Sequence, residues 1–432
     1  DEKTVPKGLH VWNVDERFGT IVPIEPDTVQ HLFQNSNQTA GMYGNFNFLG
    51  GIGSPRINRI YDGRQDFMMG SQFIFTKPYS FFLFPNSKFV FTNTKSPIAD
   101  LYYYSSGDKT DGDDHFKARF ATNINKQAGI GFDIDYIYAR GFYRNQSHSS
   151  FGATLYGSYR GDQYQMHSFY TTGYTKNLEN GGIEDENYIN NPENFLTTYR
   201  PADMPMRLEG VRNNVSIDKF FLTHRYSMGF YEKSDSTGRI VSRSLKATSD
   251  TTTNRKSTKL VDPKGNIIPD SLLITKFVPV ASIIHTANIE SNYRTFSSQK
   301  NIDNYFISSP YLSGKIANDS THYISVQNTV ALEMREGFRK WVKTGMRLFA
   351  KHELARFTLP NTKGTVDATT TNYFTLGAQL LRAQSKRFRY NVLGEIRTTG
   401  ADWGEFNVEG ETGLHFKLWG DTLALQTGGF IR

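Results

Sequence analysis

Residues 129–140 read GIGFDIDYIYAR, and they alternate. Ile130, Phe132, Ile134, Tyr136 and Tyr138 share one parity; Gly131, Asp133, Asp135, Ile137 and Ala139 share the other. Successive side chains of a strand point to opposite faces, so this stretch has one apolar face and one small or acidic face. A strict period of two over so many residues rules out a helix, whose faces repeat every 3.6. It also constrains the fold beyond a strand assignment, because it recurs. Phe116, Ala118, Phe120 and Ile124 oppose Lys117, Arg119, Asn123 and Asn125. Phe220, Leu222, Tyr226, Met228 and Phe230 oppose Lys219, Thr223, Arg225 and Ser227. The same phasing runs through 150–170, 324–335, 342–351 and 388–397.

Strand length separates a soluble sheet from a membrane wall. Strands of globular proteins average about five or six residues, whereas a tilted membrane-crossing strand needs about nine to eleven. The alternating runs reach about ten or more, and aromatics gather near their ends, as at Phe142 and Tyr143 or Tyr170 and Tyr174, where an interfacial girdle lies. The pattern predicts roughly fourteen or more strands from residue 81 onward. The expected fold is all-β: a transmembrane antiparallel up-and-down β-barrel over 81–432, preceded by a periplasmic N-terminal segment over 1–80 that is a lead-in or a plug. Tight links are expected at 126–128, 160–163, 335–340, 383–387 and 419–422, and longer ones at 175–213, 295–321 and 357–370. The polar stretch 233–272 falls on the tight-link side, which calls for a hidden hairpin near 239–247 and 272–278 or a strand count off by one. The end GGFIR places Phe430 third from last, where such barrels end on an aromatic, so further strands are expected beyond Arg432.

Composition fits this reading. The chain has 432 residues, no cysteine, 33 Phe, 24 Tyr and a formal net charge of +7. Without cysteine there is neither a disulfide framework nor a thiolate metal site. The cationic excess is spread along the chain, which argues against nucleic acid as a partner. No run approaches 18 apolar residues, which excludes a transmembrane helix and leaves a barrel open.

The stretches LGGIGSPRINRIYDGR (49–64), FTNTKSPIADLYYYSSG (91–107), GFYRNQ (141–146) and NGGIEDE (180–186) resemble the putative porin family of Bacteroidota outer membranes. The resemblance is strongest over residues 45–190. It implies an outer-membrane barrel and carries no catalytic residue with it. Three triplets, Asp235-Ser236-Thr237, Asp250-Thr251-Thr252 and Asp270-Ser271-Leu272, look like the glycosylation sequon of that phylum.

Other motifs weigh less. Asp133 and Asp135 share a strand face, close enough for joint metal or general-acid work, but neighbouring strands carry polar residues in the same phase, so a watery lumen is the better account. The run DKTDGDD (108–114) lacks calcium-loop spacing, and KHELA (351–355) has the wrong order for a zinc motif. The glycine-rich GGIGS (50–54) precedes no helix, so it is no phosphate loop. His224 and His285 fall in the lipid-facing phase without an evident serine partner, so the chain is read as no enzyme. No cofactor and no metal are implied.

The expected function is an outer-membrane porin-like channel for passive diffusion of small polar solutes. Lys117, Arg119, Lys219, Arg225, Lys343, Arg347, Lys351, Arg389 and Arg397 are the pore-lining cations, and Asp133, Asp135 and Glu395 the opposing acids. That balance implies a mild anion preference, with Asp133 and Asp135 as the local exception that draws a cation or pairs with Arg119 across the turn. Arg140 and Arg382 fall in the lipid-facing phase at strand ends. The expected contacts are outer-membrane lipid, small polar solutes and envelope proteins. The alternative is a plugged accessory barrel that docks partners in an envelope complex.

Overall fold

The computed structural model describes residues 8–26, 36–37, 41–48, 50–61, 64, 72–79, 89–108, 112–197, 199–234, 240–245, 274–302, 304–307, 316–361, 363–400, 402–418 and 421–431. The three sequon triplets and the residues after Ile431 lie outside them.

Strands β8 to β21 form one 14-stranded antiparallel sheet. They are β8 (Ile98–Ser106), β9 (Asp113–Asn123), β10 (Ala128–Arg140), β11 (Ser147–Arg160), β12 (Tyr164–Glu179), β13 (Val211–Ser234), β14 (Ile240–Ser244), β15 (Ile274–Ser297), β16 (Asn318–Met334), β17 (Gly345–Pro360), β18 (Val366–Arg382), β19 (Phe388–Thr399), β20 (Phe406–Leu418) and β21 (Asp421–Ile431). Chain neighbours pair in order, the up-and-down arrangement that alternation predicts. The exception is β14, which pairs with the end of β13 at Tyr231–Ser234. β14 falls in the first arm of the hairpin expected near 239–247 and 272–278, but both it and Ile274–Val278 pair with β13, so among the described residues the two arms do not pair with each other.

Register confirms the phase. Leu155 is 65 % exposed and its neighbour Thr154 only 3 %. Ile130, Phe132, Tyr170, Tyr226, Ile283, Val330, Leu348 and Leu376 stand on the exposed row. Thr223, Arg225, Thr286, Thr329, Glu333 and Arg347 stand on the buried one. A sheet with apolar residues outward and polar residues inward suits hydrocarbon outside and water or polypeptide inside. No helix of the described residues is long and apolar enough to cross a membrane.

Two link lengths differ from expectation. Backbone pairing carries β17 to Pro360 and β18 back to Val366, so the expected long loop at 357–370 is a tight turn. The turn before β17 runs to Thr344.

The N-terminal part supplies β1 (Leu9–Val14), β2 (Ile21–Ile24), β3 (Ser36–Asn37), β4 (Gly41–Met42), β5 (Phe46–Phe48), β6 (Arg56–Asn58) and β7 (Phe91–Thr94). β1 lies between β2 and β7 in a small sheet of its own. The wall therefore starts at Ile98, and the N-terminal part reaches past residue 80.

That part sits against the inner face. Trp12, Val14, Phe89 and Phe91 pack on Ala121 (β9), Tyr156 (β11), Phe169 (β12) and Phe221 (β13). Phe73 and Tyr79 pack on Val215 (β13), Tyr323 (β16), Ala355 (β17) and Tyr373 (β18). Phe18 packs on Ile284 (β15), Ala331 (β16), Phe349 (β17) and Leu393 (β19). One short segment touches strands from β9 to β19 only because the sheet curls round it. Each large apolar side chain so buried contributes on the order of 1.5–3 kcal/mol. At these three clusters the inner face is packed contact between plug and wall.

Candidate functional site

Two turns of the N-terminal segment seat it in the wall. The first is 15–20. Asp15 N–H donates to the Thr20 carbonyl, Gly19 N–H to the Asp15 carbonyl, and Phe18 N–H to the Asp15 carboxylate. Gly19 has φ +61°, and a Cβ there would overlap the Thr223 side chain. Glycine is needed for both reasons, the left-handed backbone and the close approach. The turn pushes Phe18 outward between Ile284 and Phe349.

Around it lies an ionic socket. Glu333 of β16 receives both Arg225 of β13 and Arg347 of β17. Arg225 also donates to the Phe18 carbonyl at 3.2 Å, and Arg347 to the Thr20 hydroxyl at 3.1 Å. Arg347 bonds Gln379 at 2.9 Å as well and lies over the Phe18 ring. All three charged groups are buried. Alongside, Arg17 reaches Glu395 at 3.4 Å and Asn288 donates to the Glu16 carbonyl.

The second turn is 50–54, the GGIGS motif. Ile52 enters a pocket made by Ile137 and Ala139 of β10. Its N–H points at the Asp113 carboxylate, 3.4 Å away. Gly53, at φ +89°, faces the His148 ring so closely that a side chain would collide. The glycines serve contact with the wall.

The expected lining residues divide on inspection. Asp133 and Arg119 are cross-strand partners bonded at 2.9 Å. Asp135 takes His115 at 2.8 Å and Lys117 at 3.2 Å. The opening pair of aspartates thus belongs to an inner-face charge ladder, and no group of three or more potential metal ligands occurs among the described residues. Lys219 stands 4.0 Å from Glu290, and Arg397 pairs with Asp402 at 2.5 Å and Glu405 at 3.0 Å. Lys351 and Arg389 keep the inner phase with no ion pair among the described residues. Lys343 is a correction: it is exposed in the turn before β17, so it shares no strand face with Arg347 and Lys351.

Alternation put Glu333 inside without revealing that two arginines meet on it. Phe18, Gly19 and Thr20 gave no signal, since an irregular segment has no period. On the outer face, His224 Nε2 and His285 Nδ1 lie 2.9 Å apart, bonded to each other. Ser291 Oγ lies 3.0 Å from His322 Nε2, a contact the sequence did not suggest. The backbone flanking this pair is committed to strand ladders.

The family model described as "Putative porin" matches residues 8–432, which takes in the N-terminal part and strands β8 to β21. The chain belongs to that family. Family membership points to the bacterial outer membrane, the compartment for which the wall's apolar outer row is suited. No curated protein matches the chain. Among solved structures, a mutant of the ferric enterobactin receptor PfeA of Pseudomonas aeruginosa aligns with TM-score 0.46 and 6 % identity over 77 % of this porin-family chain and 43 % of the receptor. The siderophore receptor PirA of Acinetobacter baumannii aligns with TM-score 0.45 and 8 % identity over 78 % and 44 %. The chain thus spans less than half the length of these receptors.

Proposed function

We propose that this porin-family protein is an outer-membrane channel for small polar solutes, of the Bacteroidota type its motifs resemble, whose passage is narrowed by its own N-terminal segment. The observation that carries the proposal is the pairing of an apolar outer row with a polar inner row that the plug only partly covers. Arg389 and Asn391 of the inner phase, with Tyr390 and Thr412 of the outer, line an open cavity of about 450 Å3 along β19 to β21, away from the two seated turns. Passage along such a path is diffusion and involves no chemical step or cofactor. Charge selectivity is weaker than a tally of lining cations suggests, because most of them face a carboxylate. A mild anion preference then rests on Lys351 and Arg389.

The filled interior equally suits an accessory barrel that docks envelope partners. Single-channel conductance in a planar bilayer separates the two readings. The channel gives small, steady steps that grow when residues 1–94 are removed. A chain silent in both forms is an accessory barrel.

A further inference from the structure

A cavity of about 250 Å3 lies between the second seated turn and the wall, at the end that carries the long loops. It is smaller than the roughly 300–1,000 Å3 typical of sites for drug-sized ligands, so its occupant is a small solute. Its lining includes Ser54, Tyr79, His148, Asn177, Glu179 and Asn180.

The chemistry of this lining is specific. Asn177 is committed to structure: its amide nitrogen donates to the Tyr79 hydroxyl at 2.8 Å and to the Asn213 carbonyl at 3.0 Å, while its oxygen meets His148 Nδ1 at 2.5 Å. The Tyr79 oxygen accepts that bond and keeps its own proton to donate. Burial, then the nearby Glu179 charge, pushes the Tyr79 phenol up, so the proton stays on. Glu179 accepts from Asn213 through one oxygen and retains the other as an acceptor. Asn180 accepts from the Gly182 N–H and keeps its amide protons. Donors and acceptors thus sit side by side. The one charge on the wall is answered behind it by Arg294, whose Nε bonds the same Asn213 at 3.0 Å. A hydroxyl both donates and accepts, so a neutral polyol satisfies such a lining. A carboxylate or phosphate would face Glu179 with no lining cation to meet it.

The geometry assigns this cavity as a binding site for a neutral, hydroxyl-rich solute of monosaccharide size. The assignment rests on the solute-channel reading and names the class of solute. The test is isothermal titration of the full-length chain in detergent with D-glucose, D-galactose and, separately, potassium acetate. A sugar is expected to bind one-to-one and acetate not at all. Glu179→Gln and Tyr79→Phe are each expected to weaken the sugar about tenfold, equivalent to about 1.4 kcal/mol. Their thermal midpoints are recorded alongside, and if Tyr79→Phe unfolds the protein, Glu179→Gln alone decides. No heat from either sugar, acetate binding at least as tightly, or unchanged affinity in the folded variants would overturn the assignment. Sugar binding by a chain that never conducts would reject the channel reading and keep the site. Conduction without sugar binding would do the reverse.

Discussion

Arg347 Nε donates to Glu333 Oε1 at 2.9 Å, and the same guanidinium reaches the hydroxyl of Thr20, 327 residues earlier in the chain. One ion pair of the wall is therefore also a clasp on the plug. Breaking a buried pair by removing one partner costs about 3–5 kcal/mol, because the remaining charge is left uncompensated. Glu333→Gln leaves two buried arginines against a neutral amide. It is expected to lower the urea midpoint of the folded protein and to expose residues 9–26 to protease. Wild-type protease resistance in this variant would show that the clasp does not hold the plug.

Gly19 offers a test with less effect on the wall. Its φ of +61° and its contact with Thr223 both oppose a side chain. Gly19→Val should unseat the 15–20 turn while the strands still assemble. The variant is expected to keep the heat-modifiable gel mobility of an assembled barrel and to show larger conductance steps. Conductance identical to wild type would show that the seated turn does not narrow the solute path.

The outer row makes a claim about assembly. Ile134 faces outward between Ala118 and Ala153, while Asp135 faces inward beside Lys117 and His115. Arg at the bilayer midplane costs about 2–4 kcal/mol on a lipid-facing position. Ile134→Arg should therefore impair insertion into lipid vesicles, and Asp135→Asn should insert normally. Equal insertion of the two would invert the phase assignment.

Selectivity should rest on few residues. Lys117, Arg119, Arg225, Arg347 and Arg397 each face a carboxylate within ion-pair distance. Lys351 and Arg389 do not, among the described residues. The double variant Lys351→Gln/Arg389→Gln is expected to abolish a mild anion preference, read as the reversal potential in a salt gradient. The preference in wild type should fade as salt rises, since the Debye length falls from about 10 Å at 0.1 M to about 3 Å at 1 M. A preference untouched by the double variant would assign it to other residues.

The long loops are joined by a pH-dependent contact. Lys300, in the link after β15, bonds Glu209, in the link after β12. Lys300, by that bond and by its charge, holds the Glu209 carboxyl below its usual range against the opposing effect of burial, with a lesser contribution from Arg144. A carboxylate whose folded value is lowered supports the fold above its unfolded value and loses that support as pH falls through the folded one. The loop contact should thus weaken only below the ordinary glutamate value of about 4.3. Hydrogen exchange around Leu208, corrected for intrinsic rates, should show the loss on acidification, and Glu209→Gln should show it already at neutral pH. Full protection in Glu209→Gln would mean that the Leu208–Ile302 packing alone joins the loops.

The sequence by itself determined the wall. A strand's side chains alternate with a fixed period, and in a sheet that separates two solvents each residue's polarity reports its face, so the assignment of Phe132 outward and Asp133 inward needs no knowledge of the neighbouring strand. The pairing order follows too, because short links force neighbours to pair. What alternation cannot carry is distance across the interior. Nothing local in the run DERFGT says that Phe18 lodges beside Phe349, or that Thr20 meets Arg347, because those contacts join segments hundreds of residues apart. The same holds for charge: Lys117 reads as a free cation until register sets it opposite Asp135, and only register decides that Asp133 faces Arg119. Only the tertiary structure decided that the inner face is occupied where Phe18, Phe73 and Trp12 pack on it, because that depends on the curvature of the sheet and on which segment of the chain lies against it.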